Sequence, residues 1–347
     1  MIIDSCISKA TLLAVLVVST ACKDLSEDST DLQNDNVVTN DDASQEEPVQ
    51  NGNGSDDEAS QLGLTINTLP IEIEDHWTPD ISRDKQIRLY ESRSSFESEL
   101  SSSGAILASD VSLPEEHLFL SATTGFLPQV GDYIKLADAN ILGNIASVKF
   151  ESTIGCGEDD SPSNWSIFEA VPQEKIDFVS VKESAVLCDT LSDEMTIPED
   201  TKNVEVAKLL SGTATLQSPN NKLLKVMTPI SEADVSAELV GLFTQFNIAI
   251  ENQLNIDQKN ELVLAVVIGQ QQLNIDSIEI SSVRRIGSSH FDFVDLYGFG
   301  YLEVNIDILE ACDNTKTANT HYLVASAPKT EWSPLTLFNE RVVRCNP

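Results

Sequence analysis

Basic side chains are scarce in this 347-residue sequence: 21 Lys and Arg stand against 56 Asp and Glu, giving a formal net charge of −35. A field of that sign repels phosphate backbones and anionic lipid head groups. It argues against nucleic acid as a partner and suits solubility, a cationic partner or Ca²⁺. Histidine is scarcer still. His76, His117, His290 and His321 are the whole set, and none falls in HxxE or HExxH spacing. Each therefore reads as an ordinary surface or half-buried residue rather than a metal ligand. After residue 21 no apolar run approaches the 18 residues of a membrane-spanning helix. GxSxG, P-loop and dinucleotide-binding glycine patterns are missing too. Carboxylate pairs are so common in this chain that they mark no acid–base site. The reading predicts no enzyme, no catalytic residue, no metal and no cofactor.

The amino terminus holds the clearest positive signal. Lys9 precedes the apolar run Ala10 to Val18, followed by Ser19-Thr20-Ala21-Cys22. A short apolar core ending in small residues is the pattern of a signal peptide, which assigns residues 1–21 to export. The stretch resembles the lipobox of bacterial lipoproteins, in which the Cys22 thiol would carry the lipid, palmitate included. Ser19 also fits ordinary secretory cleavage at the same bond, which leaves plain secretion as the alternative. Cysteine parity favours the lipid. Loss of Cys6 with the signal leaves Cys22, Cys156, Cys188, Cys312 and Cys345, an odd number, and exported proteins seldom keep a spare thiol. Lys23 after the cysteine resembles lipoproteins sorted to the outer membrane, facing the periplasm or the cell surface.

Residues 22–61 read as a tether. From Lys23 to Ser60 there are twelve Asp or Glu, one Lys and no aromatic residue. Such a segment buries too little apolar surface to offset its ordering entropy. Asp56-Asp57-Glu58 reads as part of this solvated spacer rather than as a Ca²⁺ site.

The remainder aligns with itself. Ile87-Arg88-Leu89-Tyr90 corresponds to Leu224-Lys225-Val226-Met227, predicting a strand in each case. Ser94-x-x-Glu97 and Ser231-x-x-Asp234 follow as capping boxes that open short helices. Leu118 through Gly125 matches Leu262 through Gly269, and Asp132 to Leu136 matches Asp276 to Ile280. Cys156 lies over Cys312 and Glu183 over Glu340, ahead of Cys188 and Cys345. The expected fold is mainly β (α+β): two tandem strand-rich domains, 84–190 and 222–347, each with one short helix and one disulfide. Residues 191–221 read as a linker, with Pro198-Glu199-Asp200 opening a short helix that ends at Gly212. Leu62, Leu64 and Ile66 alternate, as an edge strand or a stiff lead-in would.

Since each repeat is expected to close by itself, the pairing is Cys156–Cys188 and Cys312–Cys345. The acidic turn Gly155 to Ser161 has oxygens for Ca²⁺ but lacks alternating Asp spacing, and a plain turn is the better reading. One feature breaks the repeat. Gly269 to Cys312 spans 43 positions against 31 from Gly125 to Cys156, and the surplus falls around residues 290–301. There Phe291, Phe293, Tyr297, Phe299 and Tyr301 would share one face of an extended strand, either as a binding surface or as cover for the core.

Leu262 to Gly269, Ile278-Glu279-Ile280 with Val283, Cys312, and Tyr322-Leu323-Val324 leading to Pro328-Lys329 resemble the carboxy-terminal domain of PrcB-type protease-complex subunits. That family's Gly-Gly-Tyr is replaced here by Leu273-Asn274-Ile275-Asp276, while Gly131-Asp132-Tyr133 in the first repeat keeps more of it. The resemblance implies a non-catalytic envelope lipoprotein that binds or stabilises another protein, a secreted protease included. The alternatives are a carbohydrate- or ligand-binding module using the aromatic strand 291–301, and an enzyme with an unrecognised site.

Overall fold

The computed structural model describes residues 63–73, 84–125, 133–154, 165–188, 201–215, 220–227, 235–250, 254, 256–257, 260–269, 273–287, 301–312, 319–328 and 335–345. All belong to one compact unit, Glu58–Pro347. Its architecture is mainly β, with sixteen strands and two short helices among the described residues.

In chain order the first half contains β1 (Leu64–Thr65), β2 (Leu69–Pro70), β3 (Gln86–Tyr90), α1 (Arg93–Ser103), β4 (His117–Thr123), β5 (Tyr133–Leu142), β6 (Ile145–Ile154), β7 (Ser166–Pro172) and β8 (Phe178–Leu187). The second contains β9 (Thr201–Asn203), β10 (Ala207–Ala214), β11 (Asn220–Met227), α2 (Val235–Gln245), β12 (Glu261–Ile268), β13 (Ile275–Ile286), β14 (Tyr301–Glu310), β15 (Thr320–Pro328) and β16 (Leu335–Val343). One eight-stranded sheet runs β1-β5-β6-β8-β16-β14-β13-β9 and the other β10-β15-β12-β11-β3-β4-β7-β2. Exchanging β1–β8 for β9–β16 leaves both orders unchanged when read from the opposite margin. Among the described strands only β6/β8 and β14/β16 pair in parallel.

The correspondence reaches single registers. Thr65 faces Asn140, and Asn203 faces Arg284. Leu69 faces Ala170, and Ala207 faces Ser326. Between each pair of marginal strands the chain crosses from one sheet to the other. Ile66 N–H donates to the Ala139 carbonyl at 2.9 Å, and Val204 N–H donates to the Val283 carbonyl at 2.9 Å.

The sheets face each other across one apolar core built from both halves, including Ile87, Phe150, Phe178, Leu224, Val304 and Phe338. Alternation dictates this: Ala146, Val148 and Phe150 of β6 point inward, whereas Lys149 between the last two is exposed. The outer face of the second sheet carries the helices. On α2 the residues Val235, Leu239, Leu242 and Phe243 form one stripe against Leu223, Val263 and Val324. On α1, Phe96 and Leu100 pack on Tyr90, Phe119 and Phe168, with the Phe96 and Phe119 rings stacked 5.0 Å apart.

Three expectations change. The halves expected at 84–190 and 222–347 do not close separately, because β3 pairs with β11 and β8 with β16. Residues 201–214, within the stretch read as a linker with a helix ending at Gly212, form β9 and β10; Val204 is buried in the core where the chain changes sheet. The cap of α1 is Ser92, extended at φ −122°, whose hydroxyl accepts from Ser95 N–H. Glu97 is instead engaged by Arg93 one turn earlier, at 2.7 Å. Ser231 and Asp234, and Pro198 to Asp200, lie outside the described residues.

Candidate functional site

The seam between the halves concentrates the charged groups that the fold buries. Lys85 stands just before β3 and pairs with Glu183 of β8, and Lys222 of β11 pairs with Glu340 of β16 at 2.6 Å. All four side chains are essentially inaccessible to solvent. Each pair lies within one half, yet each carboxylate also reaches across. Glu183 accepts the Phe338 N–H at 2.7 Å, and Glu340 accepts the Val181 N–H at 2.7 Å. Lys222 Nζ further donates to the Val179 carbonyl and lies 4.3 Å from the centre of the Phe178 ring. Burial pushes the Lys222 ammonium below the usual lysine range, opposed by the adjacent Glu340 charge. A buried ion pair adds little net stability over an apolar one, but mispairing it is costly. These two pairs therefore fix how β8 meets β16.

The helix side of the seam repeats the theme with exposed rims. Arg88 donates to Glu99 of α1 at 3.0 Å and to Gln245 of α2 at 2.6 Å. Lys225 lies 2.6 Å from Glu238 and 3.4 Å from Asp84. Every cation here faces a carboxylate, so neither layer offers an anion a free charge.

The ends of the seam differ in chemistry. At one, Ile154, Leu335 and Leu337 are buried with Ala185, Leu187 and Tyr301. At the other, Arg344 holds Glu310 at 3.0 Å and Asn144 at 3.1 Å. The apolar end carries the long hairpin. β5 and β6 are joined by Gly143 and Asn144, whereas β13 and β14 are joined by residues 287–300. Gly143 and Gly287 both turn with positive φ, 66° and 79°, so the surplus residues begin where the short loop would have closed. Tyr301 opens β14 opposite Ile286, and its half-buried hydroxyl is pushed up in pKa by burial and by Glu303.

Among the other residues singled out, Cys312 and Cys345 are disulfide-bonded with Cα atoms 5.2 Å apart. Cys188 is disulfide-bonded as well. Cys22, Cys156, Phe291, Phe293, Tyr297 and Phe299 lie outside the described residues, as do His76 and His290. His117 is half-exposed, and His321 is buried in β15 with its pKa lowered by burial. Among the described residues no His, Cys, Asp and Glu cluster has metal-binding geometry, and no helix is long and apolar enough to cross a membrane. The sequence reading paired Glu183 with Glu340 but missed Lys85 and Lys222, which stand two residues ahead of the matched strand pieces.

No protein-family profile, curated protein or solved structure matches the chain.

Proposed function

We propose that the chain is an exported, lipid-anchored binding or assembly subunit of the cell envelope, built by tandem duplication of one β-rich unit. The observation that carries the reading is the amino-terminal pattern ending at Cys22, joined by an acidic tether to a unit stapled by Cys312–Cys345. A disulfide just past the ends of the neighbouring strands β14 and β16 suits an oxidising compartment outside the cytoplasm. The palindromic strand orders and matched registers support the duplication. The buried charges of the seam are mutually neutralised and hydrogen-bonded to backbone, which suits a scaffold better than a reaction centre. The resemblance of the second repeat to PrcB-type subunits supports a protein partner, with a secreted protease as the first to test.

Metabolic labelling with palmitate and membrane fractionation test the anchor. Wild type should incorporate label and sediment with membranes, while Cys22→Ser should do neither and still fold. Wild-type protein without label would overturn the lipid anchor. Carbohydrate binding through residues 291–301 is the second reading, favoured by the long β13–β14 loop. Tyr301 itself packs against Leu335 and Leu337, which favours a structural role for that residue.

A further inference from the structure

The four sheet margins are not alike. Three end in β1, β2 and β9, of two, two and three residues, whereas β10 runs for eight. The contrast with β2 is direct, because Pro70 and Lys208 hold corresponding registers against Glu169 and Ala325. In the first half the proline ends the strand, and the chain turns away to bridge Ile73 with Leu107. In the second half the strand continues from Lys208 to Ala214 along β15.

Natural edges are guarded by lysine, proline, bulges or short length. β10 has Lys208 and a bulge between Lys208 and Leu210, both near its beginning. From Leu210 to Ala214 it carries no charge and no proline. Its larger side chains are committed inward, since Leu209 and Leu210 pack on the cluster beneath α2. Ser211 and Thr213 are small and exposed. Gly212 admits Tyr322, because a Cβ there would lie 2.5 Å from the tyrosine hydroxyl. Tyr322 is itself held edge-on by Phe243. What this margin presents, among the described residues, is a rigid row of backbone donors and acceptors with low side-chain relief.

We infer that β10 is a strand-addition site for an extended, cationic segment of a partner protein, which pairs with its open edge as a ninth strand. Backbone pairing supplies the affinity in this mode, with side-chain alternation adding selectivity. Charge selects the occupant. β10 has no Asp or Glu, yet the whole chain carries −35, so a second copy is repelled at long range and a basic segment is drawn in. The inference rests on the binding-subunit reading and names its surface.

The test uses the full exported chain and a short peptide of alternating Thr and Val with Lys at both ends. Hydrogen exchange of residues 207–214 should slow on addition of the peptide. Binding should be about tenfold tighter than for the same peptide ended with Glu at low ionic strength. A peptide N-methylated at every residue between its terminal lysines has no free strand edge and should not bind. Protection elsewhere, or equal binding of the N-methylated peptide, overturns the site. Concentration-dependent dimerisation of the protein alone, with protection of 207–214, overturns the cationic occupant in favour of a second copy. Ser211→Pro and Ala214→Pro are made in parallel, because strand residues three apart turn their N–H groups to opposite sides and both positions already carry a Cβ. The variant that keeps the wild-type melting temperature should lose the peptide. Envelope capture separates the two readings. A partner retained by that variant overturns the edge alone, and a wild type that captures no partner overturns the binding reading whatever the peptide does.

Discussion

Glu340→Gln keeps the shape of a side chain only 1% exposed and removes its charge. The substitution strands Lys222, which is fully buried, with the Val179 carbonyl and the Phe178 ring as its remaining partners. Removing one member of a buried pair typically costs about 3–5 kcal/mol. The carbonyl and ring recover part of that, so the lower end, about 3 kcal/mol, is the expected loss. At roughly 2–4 °C per kcal/mol for a unit of this size, melting should fall by roughly 6–12 °C in calorimetry. Local exchange gives the sharper assay. The Val181 amide, which donates to Glu340, should exchange faster in Glu340→Gln, and the Phe338 amide should do so in Glu183→Gln. The lysine adds a pH signature. Burial lowers its folded pKa from 10.5, so the unfolded chain binds the proton more tightly, and stability rises with pH up to that value. Without Glu340 the lowering deepens, and the deficit of the variant should shrink as pH rises towards 10.5. Lys222→Met/Glu340→Leu should recover at most about 2 kcal/mol of the loss, because the unpaired Val181 N–H still costs about 1–3 kcal/mol. An unchanged melting temperature in Glu340→Gln, with Val181 exchange also unchanged, would refute the assigned role of the seam.

Cys312→Ser removes a cross-link spanning 33 positions, which should cost roughly 4 kcal/mol in the chain-entropy picture. Non-reducing peptide mapping should recover Cys312 with Cys345, and a Cys156–Cys312 peptide would contradict the pairing. Burial lowers the pKa of His321 below 6.5, so the unfolded chain binds that proton first and stability is lost as pH falls through 6.5 towards the folded value. His321→Gln should flatten this slope in melting temperature against pH, and an equal slope in both proteins would assign it elsewhere. An isolated 201–345 fragment leaves β11 and β16 each with one open edge, where β3 and β8 pair in the whole chain. Sedimentation should find it self-associated, whereas a stable monomer with native exchange protection would show that each half closes alone.

Strands whose apolar residues alternate were legible at once, as in Ile278 and Ile280 of β13. So was the place of the surplus residues between β13 and β14, because an insertion in a hairpin connection changes a spacing without changing the registers around it. β10 was not legible. Its bulge sets Leu209 and Leu210 side by side, both against the α2 cluster, which destroys the two-residue period that marks a strand. Pro198-Glu199-Asp200 upstream carries the proline and acids that mark a helix opening in sequence. At α1 the sequence pointed to Ser94 as the cap. The choice fell to Ser92 because it has extended backbone and its hydroxyl reaches the Ser95 N–H, a matter of geometry rather than residue type.

The seam was illegible for a deeper reason. A lysine beside a strand reads as surface, since lysine is almost never fully buried unless paired. The pairing that buries Lys85 and Lys222 comes from carboxylates 98 and 118 positions away, which no local pattern announces. Self-comparison could have found both lysines, since they lie equally far ahead of the matched pieces Ile87 and Leu224, and both carboxylates were already aligned. Two Lys–Glu pairs recurring in step are hard to place on a surface by accident, because nothing there holds a charge to one register. The same comparison then directs attention to what does not recur. The extended β10 edge and the long β13–β14 loop both belong to the second half, while the first half meets the same places with Pro70 and a two-residue turn. A framework maintained in both halves needs its shared residues for folding. The freedom to acquire a partner lies where one half departs from the other.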